Sequence, residues 1–250
     1  MYDLLLERYK KNEFLFLLYI SFFSTFISMI ISSNLTHFCS GYVTLALTLI
    51  PLSIIFSKIL EREEKIEEKI DKFIIHSNFI KDFFAMFIGV SLAYFLFTII
   101  NPYSPLLIPQ NEAIKEIFAE FRGMYLNKGE FFYKIFTNNL KVLIVSFILN
   151  FIYGAGALFV IIWNASILGY YLGISFIKGK NVFFILLNIL PHGILEFTAY
   201  FISALSGGLL ALSLLNYKKE VFHKILSHSI LLFVISVIIL FLAALIEAYL

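Results

Sequence analysis

The run Leu190-Pro191-His192-Gly193-Ile194-Leu195-Glu196 places an imidazole and a carboxylate inside an otherwise apolar stretch. Four residues separate His192 from Glu196, which puts both on one face of a helix with about 6 Å of axial rise between them. An ionisable side chain near the centre of a membrane helix costs roughly 2.5 to 3.5 kcal/mol on insertion scales, so such groups face a protein interior or water. Three chemistries fit the pair: a satisfied polar cluster that locks one helix packing, a relay for a proton or polar solute, or part of a metal site. The last is the weakest. His-x-x-x-Glu supplies two ligands where zinc takes three or four, and no second His-rich motif lies in an apolar run. The expectation is no metal and no cofactor.

Pro191 has no N–H to give to the Leu187 carbonyl, so the sequence predicts a helix broken at Pro191 and Gly193 that restarts at His192. Broken helices of this kind build the substrate and ion sites of many transporters. Glu247, in Ala243-Ala244-Leu245-Ile246-Glu247, is the other acid in an apolar run. It is a candidate contact for His192, although near a helix end it can also reach water. Asn138, Asn139, Asn150, Asn164 and Asn188 form a second polar set. Interhelical polar bonds in membranes average only about 0.6 kcal/mol, so amides tune a packing more than they drive it. Gly154-x-Gly156, Gly169-x-x-x-Gly173, Ser203-x-x-x-Gly207 and Ala204-x-x-x-Gly208 permit close backbone approach and concentrate in the second half. The expected intramembrane polar site is His192, Glu196, Glu247, Asn139 and Asn164.

The elements that must carry these residues are membrane helices. Of 250 residues, 60% are hydrophobic and 14% charged, with a mean hydropathy of +0.91; soluble domains carry about 25% charged residues. Most of the charge falls in four stretches: the N-terminus through Glu13, Lys58 to Asp82, Glu112 to Lys134, and Lys218 to Lys224. A net charge of +2, with no basic stripe interleaved with exposed aromatics, excludes a nucleic-acid partner. The 30 Phe and 14 Tyr suit lipid-facing and interfacial positions. One cysteine, Cys39, excludes an intramolecular disulfide and a multi-thiolate metal site.

A helix needs about 20 apolar residues to cross a bilayer core. The segments of suitable character are Phe14–Ile31, Tyr42–Ser57, Phe83–Ile100, Leu140–Trp163, the short Ala165–Ile177, the long Val182–Leu215, and Leu226–Leu250. The first reads as a retained span, not a signal peptide, because no small-x-small cleavage site follows it. The fold class is therefore an all-α integral membrane protein, a polytopic bundle of about seven spans with a Pro-broken helix and an interfacial amphipathic helix. Ala165–Ile177 and Val182–Leu190 could alternatively form a re-entrant pair. Lys and Arg near the helix ends are retained on the cytoplasmic side; six of them in Lys58 to Asp82 and three at the N-terminus place the N-terminus inside and the C-terminus outside.

Two organisational blocks follow. Residues 1–82 form a two-span hairpin with a charged cytoplasmic helix, and residues 83–250 form the membrane core with an outer amphipathic collar at 101–139. The charged helix carries Ile59, Ile66, Ile70, Phe73 and Ile74 as a narrow apolar stripe, with Glu61–Lys65 and Glu68–Lys72 as i,i+4 pairs. It reads as a solvated face or a partner-docking helix. In the collar, Ile114, Ile117, Phe118, Phe121 and Tyr125 alternate with charge as in a helix lying in the headgroup plane. His37, His76, His223 and His228 read as ordinary turn or interfacial histidines.

At Asn138-Asn139, the Gly-rich fourth span, Asn164 near Gly169, Leu-Pro-His-Gly-Ile-Leu-Glu with Phe-Thr-Ala following, Ser206-Gly207-Gly208 and the closing Ala-Ala-Leu-Ile-Glu, the chain resembles the stage II sporulation protein M family of polytopic membrane proteins. The resemblance covers roughly Phe83 to Leu250, and the two spans before Phe83 fall outside the pattern. His192, Glu196, Asn139, Asn164 and Glu247 match the family's polar positions. The resemblance implies a membrane scaffold like the sporulation members, which recruit cell-wall hydrolases; the wider family of bacteria and archaea carries no single biochemistry.

No Gly-x-Ser-x-Gly, His-Glu-x-x-His or nucleotide loop is present. The expected function is a non-enzymatic scaffold or complex subunit of the cell membrane, in envelope or membrane remodelling, whose partners are the bilayer and other protein chains or copies of itself. The alternative is a transporter, permease or lipid-translocating protein that uses the His/Glu site. An intramembrane hydrolase with Glu196 as base is a third possibility that lacks the ligands it needs.

Overall fold

A computed structural model describes residues 12–34, 40–69, 76–121, 127–216 and 219–249. Eight α-helices occur among them: α1 (Glu13–Ser33), α2 (Ser40–Lys69), α3 (Ser77–Ile100), α4 (Ile108–Phe121), α5 (Lys128–Tyr153), α6 (Ala157–Ile177), α7 (Val182–Asn216) and α8 (Lys219–Tyr249). All but α4 are long and apolar enough to cross a membrane. His37, Cys39, Ile70, Lys72, Phe73, Ile74 and Tyr125 lie outside the described residues. The described chain is all-α, as its composition predicts.

The chain divides into two compact units, each assembled from separate stretches. The first comprises residues 1–54, 81–123 and 161–182. Here α1 turns the usual amphipathic pattern inside out. Its buried stripe is Leu17, Ser21, Thr25, Ser28, Met29 and Ser32, while Tyr19, Phe23, Ile27 and Ile30 are exposed. Lipid is as apolar as leucine, so burial of small hydroxyl residues, which lets backbones approach, drives packing instead. The hydroxyls are satisfied locally: Ser21 donates to the Leu17 carbonyl, Thr25 to that of Ser21 at 2.7 Å and Ser28 to that of Ser24 at 2.7 Å. The Ser32 and Thr44 hydroxyls meet at 2.5 Å and tie α1 to α2.

Helices α1, α3 and α6 run parallel within this unit, with Phe26 against Phe97 and Phe95 against Phe176. Gly169 is the closest seam, since a Cβ there would collide with the Ser91 carbonyl oxygen and the Tyr94 Cβ. Before α4, a 3-10 turn at Pro105–Leu107 is capped by Ser104. The first turn of α4 is then pinned by Gln110, whose Nε2 donates to Ser166 Oγ at 3.2 Å.

The second unit comprises residues 55–80, 124–160 and 183–250. Its frame is α5 and α7 running parallel with α8 antiparallel to both. Ser203 donates to the Leu143 carbonyl at 2.9 Å, Asn150 to that of Ala204 at 2.6 Å and Ser206 to that of Ser229 at 2.6 Å. Phe147 packs edge-on against Phe233 at 4.9 Å. A Cβ at Gly207 would strike the Phe147 carbonyl oxygen, so this position requires glycine for the backbones to meet.

Three expectations change. The fourth span is α5, which starts at Lys128 and ends at Tyr153, not Trp163. Asn127 accepts from the Glu130 N–H at 2.9 Å while Glu130 accepts from the Asn127 N–H at 3.3 Å. This reciprocal cap starts a helix where the collar was expected to continue. Gly154 ends it with a φ of 64°, a left-handed geometry that glycine adopts without steric cost. The fifth span, α6, thereby gains full crossing length at 21 residues. Finally, α7 is one continuous helix through Pro191; the predicted break at Pro191 and Gly193 is absent. A single missing N–H removes one bond of the ladder, and the neighbouring turns hold the helix together.

Candidate functional site

Two clusters of ionisable groups sit in the second unit, one half-buried and one buried. The first is built on α5, α7 and α8, from three of the five residues expected. Asn139 Nδ2 donates to Glu196 Oε1 at 2.5 Å, and Glu196 is hydrogen-bonded to Glu247. Glu196, Asn139 and Glu247 are each half-buried, and all three lie within helices of membrane-crossing length. Ala199, Ala243 and Ala244 are fully buried nearby in sequence, and such small side chains let helices come close.

A hydrogen bond between two carboxyl groups needs a proton on one of them, because an ionised carboxylate only accepts. The Asn139 amide donates to one oxygen of this pair. Tyr200, one turn beyond Glu196, is buried and lies within electrostatic reach of both acids. It was not among the expected residues, yet its i+4 spacing from Glu196 is readable in the sequence.

His192 and Asn164 are the remaining two expected residues. His192 is half-buried and bonds neither Glu196 nor Glu247; the expected His192–Glu247 contact is replaced by Glu196–Glu247. One helical turn aligns His192 with Glu196, but Glu247 arrives on the Glu196 side of α7. Asn164 is half-buried on α6 and belongs to the first unit.

The second cluster was not expected. Glu63 and Glu67, one turn apart on α2, are buried together with His76, which precedes α3. His76 Nδ1 lies 2.7 Å from Glu63 Oε2, and its Nε2 lies 2.7 Å from Glu67 Oε1. The second oxygen of Glu67 is 2.7 Å from His228 Nδ1 on α8. Arg62 donates to Glu63 from Nε at 2.8 Å and from Nη2 at 2.5 Å.

Only a doubly protonated ring can donate from both nitrogens, so two carboxylates facing one imidazole select its cation. Burial opposes that charge, but the bonds to Glu63 and Glu67 outweigh it and push the His76 pKa up to about 8. Glu63 and Glu67 of the supposedly solvated helix are thus on its buried side, with His76 and His228 as partners. No local spacing signals this, because His228 and Glu67 are 161 residues apart. Among the described residues, no group of three or more His, Cys, Asp or Glu side chains is arranged to hold a metal ion.

The model of the stage II sporulation protein M family matches residues 22–250. The match takes in the later part of the first span from residue 22, the whole of the second and the charged end of α2, which the resemblance had left out. Over 121 residues the chain is 37% identical to "Uncharacterized protein MJ0706" of Methanocaldococcus jannaschii, covering 45% of this chain and 52% of that protein. The chain therefore spans about half the length of this curated relative. No solved structure matches it. With a polytopic helical architecture and a match over nearly its whole length, the chain is a membrane protein that belongs to the stage II sporulation protein M family.

Proposed function

We propose that this protein is a non-catalytic scaffold or subunit of a membrane complex, acting in envelope or membrane remodelling, with its N-terminus in the cytoplasm and its C-terminus outside. The observation that carries this reading is the outward face of the first half of α7. Phe183 and Phe184 are 66% and 63% exposed, and Leu187, Leu190 and Ile194 continue the same uncovered surface. Asn188 and Pro191 are exposed among them. An amide facing hydrocarbon without a partner is costly, and a neighbouring transmembrane helix can supply one.

A photocrosslinker placed at Phe184 in cells tests the idea. The expected product is a discrete protein adduct that weakens with Asn188→Leu. Adducts to lipid alone would remove the scaffold reading.

A second reading, movement of a proton-coupled solute or a lipid, is favoured by the Asn139–Glu196–Glu247 cluster. Paired acids within membrane helices are a recurring feature of proton relays. Flux into liposomes that is unchanged by Glu196→Gln would discard it.

A further inference from the structure

His76 sits between two acids, and each acid has a second partner. The ring faces Glu63 through Nδ1 and Glu67 through Nε2, at 2.7 Å in both cases. On the far oxygen of Glu63 lies Arg62, with Nη2 at 2.5 Å, and on that of Glu67 lies His228 Nδ1 at 2.7 Å. Among the described residues, the charged and titratable groups acting on the ring or its acids are Glu63, Glu67 and Arg62 from α2 and His228 from α8.

This arrangement decides what the loss of a proton does. A neutral imidazole donates from one nitrogen and offers a lone pair from the other, so one of the two contacts sets lone pair against lone pair and breaks. Neither acid is stranded by that loss, because Arg62 still donates to Glu63 and His228 still meets Glu67. His76 is therefore the member of the cluster whose departure leaves no acid unpaired. Its carbonyl accepts from the Ile80 N–H at 3.2 Å, which couples the residue to the first turn of α3. Just before that amide, Phe79 is fully buried with its ring 6.2 Å from that of Phe56 on α2, and this packing confines movement to the start of the helix. We propose that His76 is a proton-operated latch: protonated, it ties Glu63 and Glu67 of α2 to the start of α3, and on losing its proton it releases that turn. The pKa of the ring is raised from 6.5 to about 8, so the latch is closed below about pH 6.5 and opens as pH rises through about 8.

Hydrogen–deuterium exchange of the full chain in detergent at about pH 6 and about pH 9, each corrected for the intrinsic exchange rate, tests the latch. Protection of the Ile80 amide is expected to fall by about 20-fold at the higher pH, the factor that a pKa moving between 6.5 and about 8 supplies. Amides of α5 and α7 around Leu143 and Ser203 should keep theirs. His76→Arg, whose guanidinium stays charged at both pH values and donates in a fork, should hold Ile80 protected throughout, and His228→Asn should keep the response. A monodisperse gel-filtration profile and an unchanged helical circular dichroism spectrum establish that each variant is folded. Equal Ile80 protection at the two pH values in the native chain would overturn the latch without need of any variant. So would a loss shared equally by α5 and α7, which is global unfolding, and so would a response abolished by His228→Asn, which moves the sensor to α8.

Discussion

Both units bury hydroxyls, but the second adds a cluster of buried carboxylates and an imidazole. In the first, the buried polar side chains among the described residues are serine and threonine hydroxyls, apart from Asp82 and Gln110. Several of these hydroxyls close onto a carbonyl of their own helix. In the second, carboxylates, imidazoles and two amides also bond to partners outside their own helix. The contrast separates two roles for buried polarity. A hydroxyl folded onto its own helix leaves a smooth, close-packing surface and specifies little beyond proximity. A cross-helix ionisable group fixes a particular partner and responds to protons.

The sharpest break in that contrast is Glu67→Ala. It leaves His76 and His228 without a shared partner in a buried cluster, and removal of one member of such a set costs about 3–5 kcal/mol. The expected result is a large fall in detergent melting temperature. A loss no greater than that of an exposed control such as Glu61→Ala would show that the cluster is solvated.

Stability against pH reads the same cluster without mutation. His76 has its pKa raised from 6.5 to about 8 on folding, so its contribution is fully present below pH about 6.5 and is lost as pH rises through about 8. The linked change is about 2 kcal/mol. Melting curves across this window should show it in the native chain and lose it in His76→Gln.

For the first unit, Gly169→Ala is the matching disturbance. The added methyl meets backbone at Ser91 and the Tyr94 side chain, and overpacking of this sort costs about 1–3 kcal/mol. That loss should be independent of pH, in contrast to the histidine cluster.

The smallest effect is expected from Glu196→Gln, a neutral near-isostere that can keep hydrogen bonds to Asn139 and Glu247 through its amide. Its stability should change by about 1 kcal/mol or less. Comparison with Glu196→Ala by thermal unfolding separates a hydrogen-bonding role from a need for the acid itself. Equal losses for the two would show that the acid itself, which both variants lack, is what matters at this position.

Long apolar windows made the seven crossings legible, since a span is set by local composition. Glu196 and Glu247 stand out in the sequence for the same reason: each is an acid in a run that otherwise excludes charge. The boundary between α5 and α6 was not, because Gly154-x-Gly156 reads equally as a packing motif or as a turn, and only the positive φ of Gly154 decides. The predicted break at Pro191 overweighted one lost backbone bond against the rest of a 35-residue helix. The histidine cluster was invisible because high charge density suggests water, whereas the acids of α2 turn inward to partners far along the chain.

The parallel course of α5 and α7 has a consequence for biogenesis. Asn139 finds Glu196 57 residues later, and Asn150 finds the Ala204 carbonyl 54 residues later. When α5 leaves the ribosome and enters the bilayer, Asn139 and Asn150 have neither of these acceptors, and an intervening helix must be threaded before they come within reach. An insertase or a holding chaperone that shelters α5 during this interval would act on a nascent intermediate with two unsatisfied amides in its apolar span.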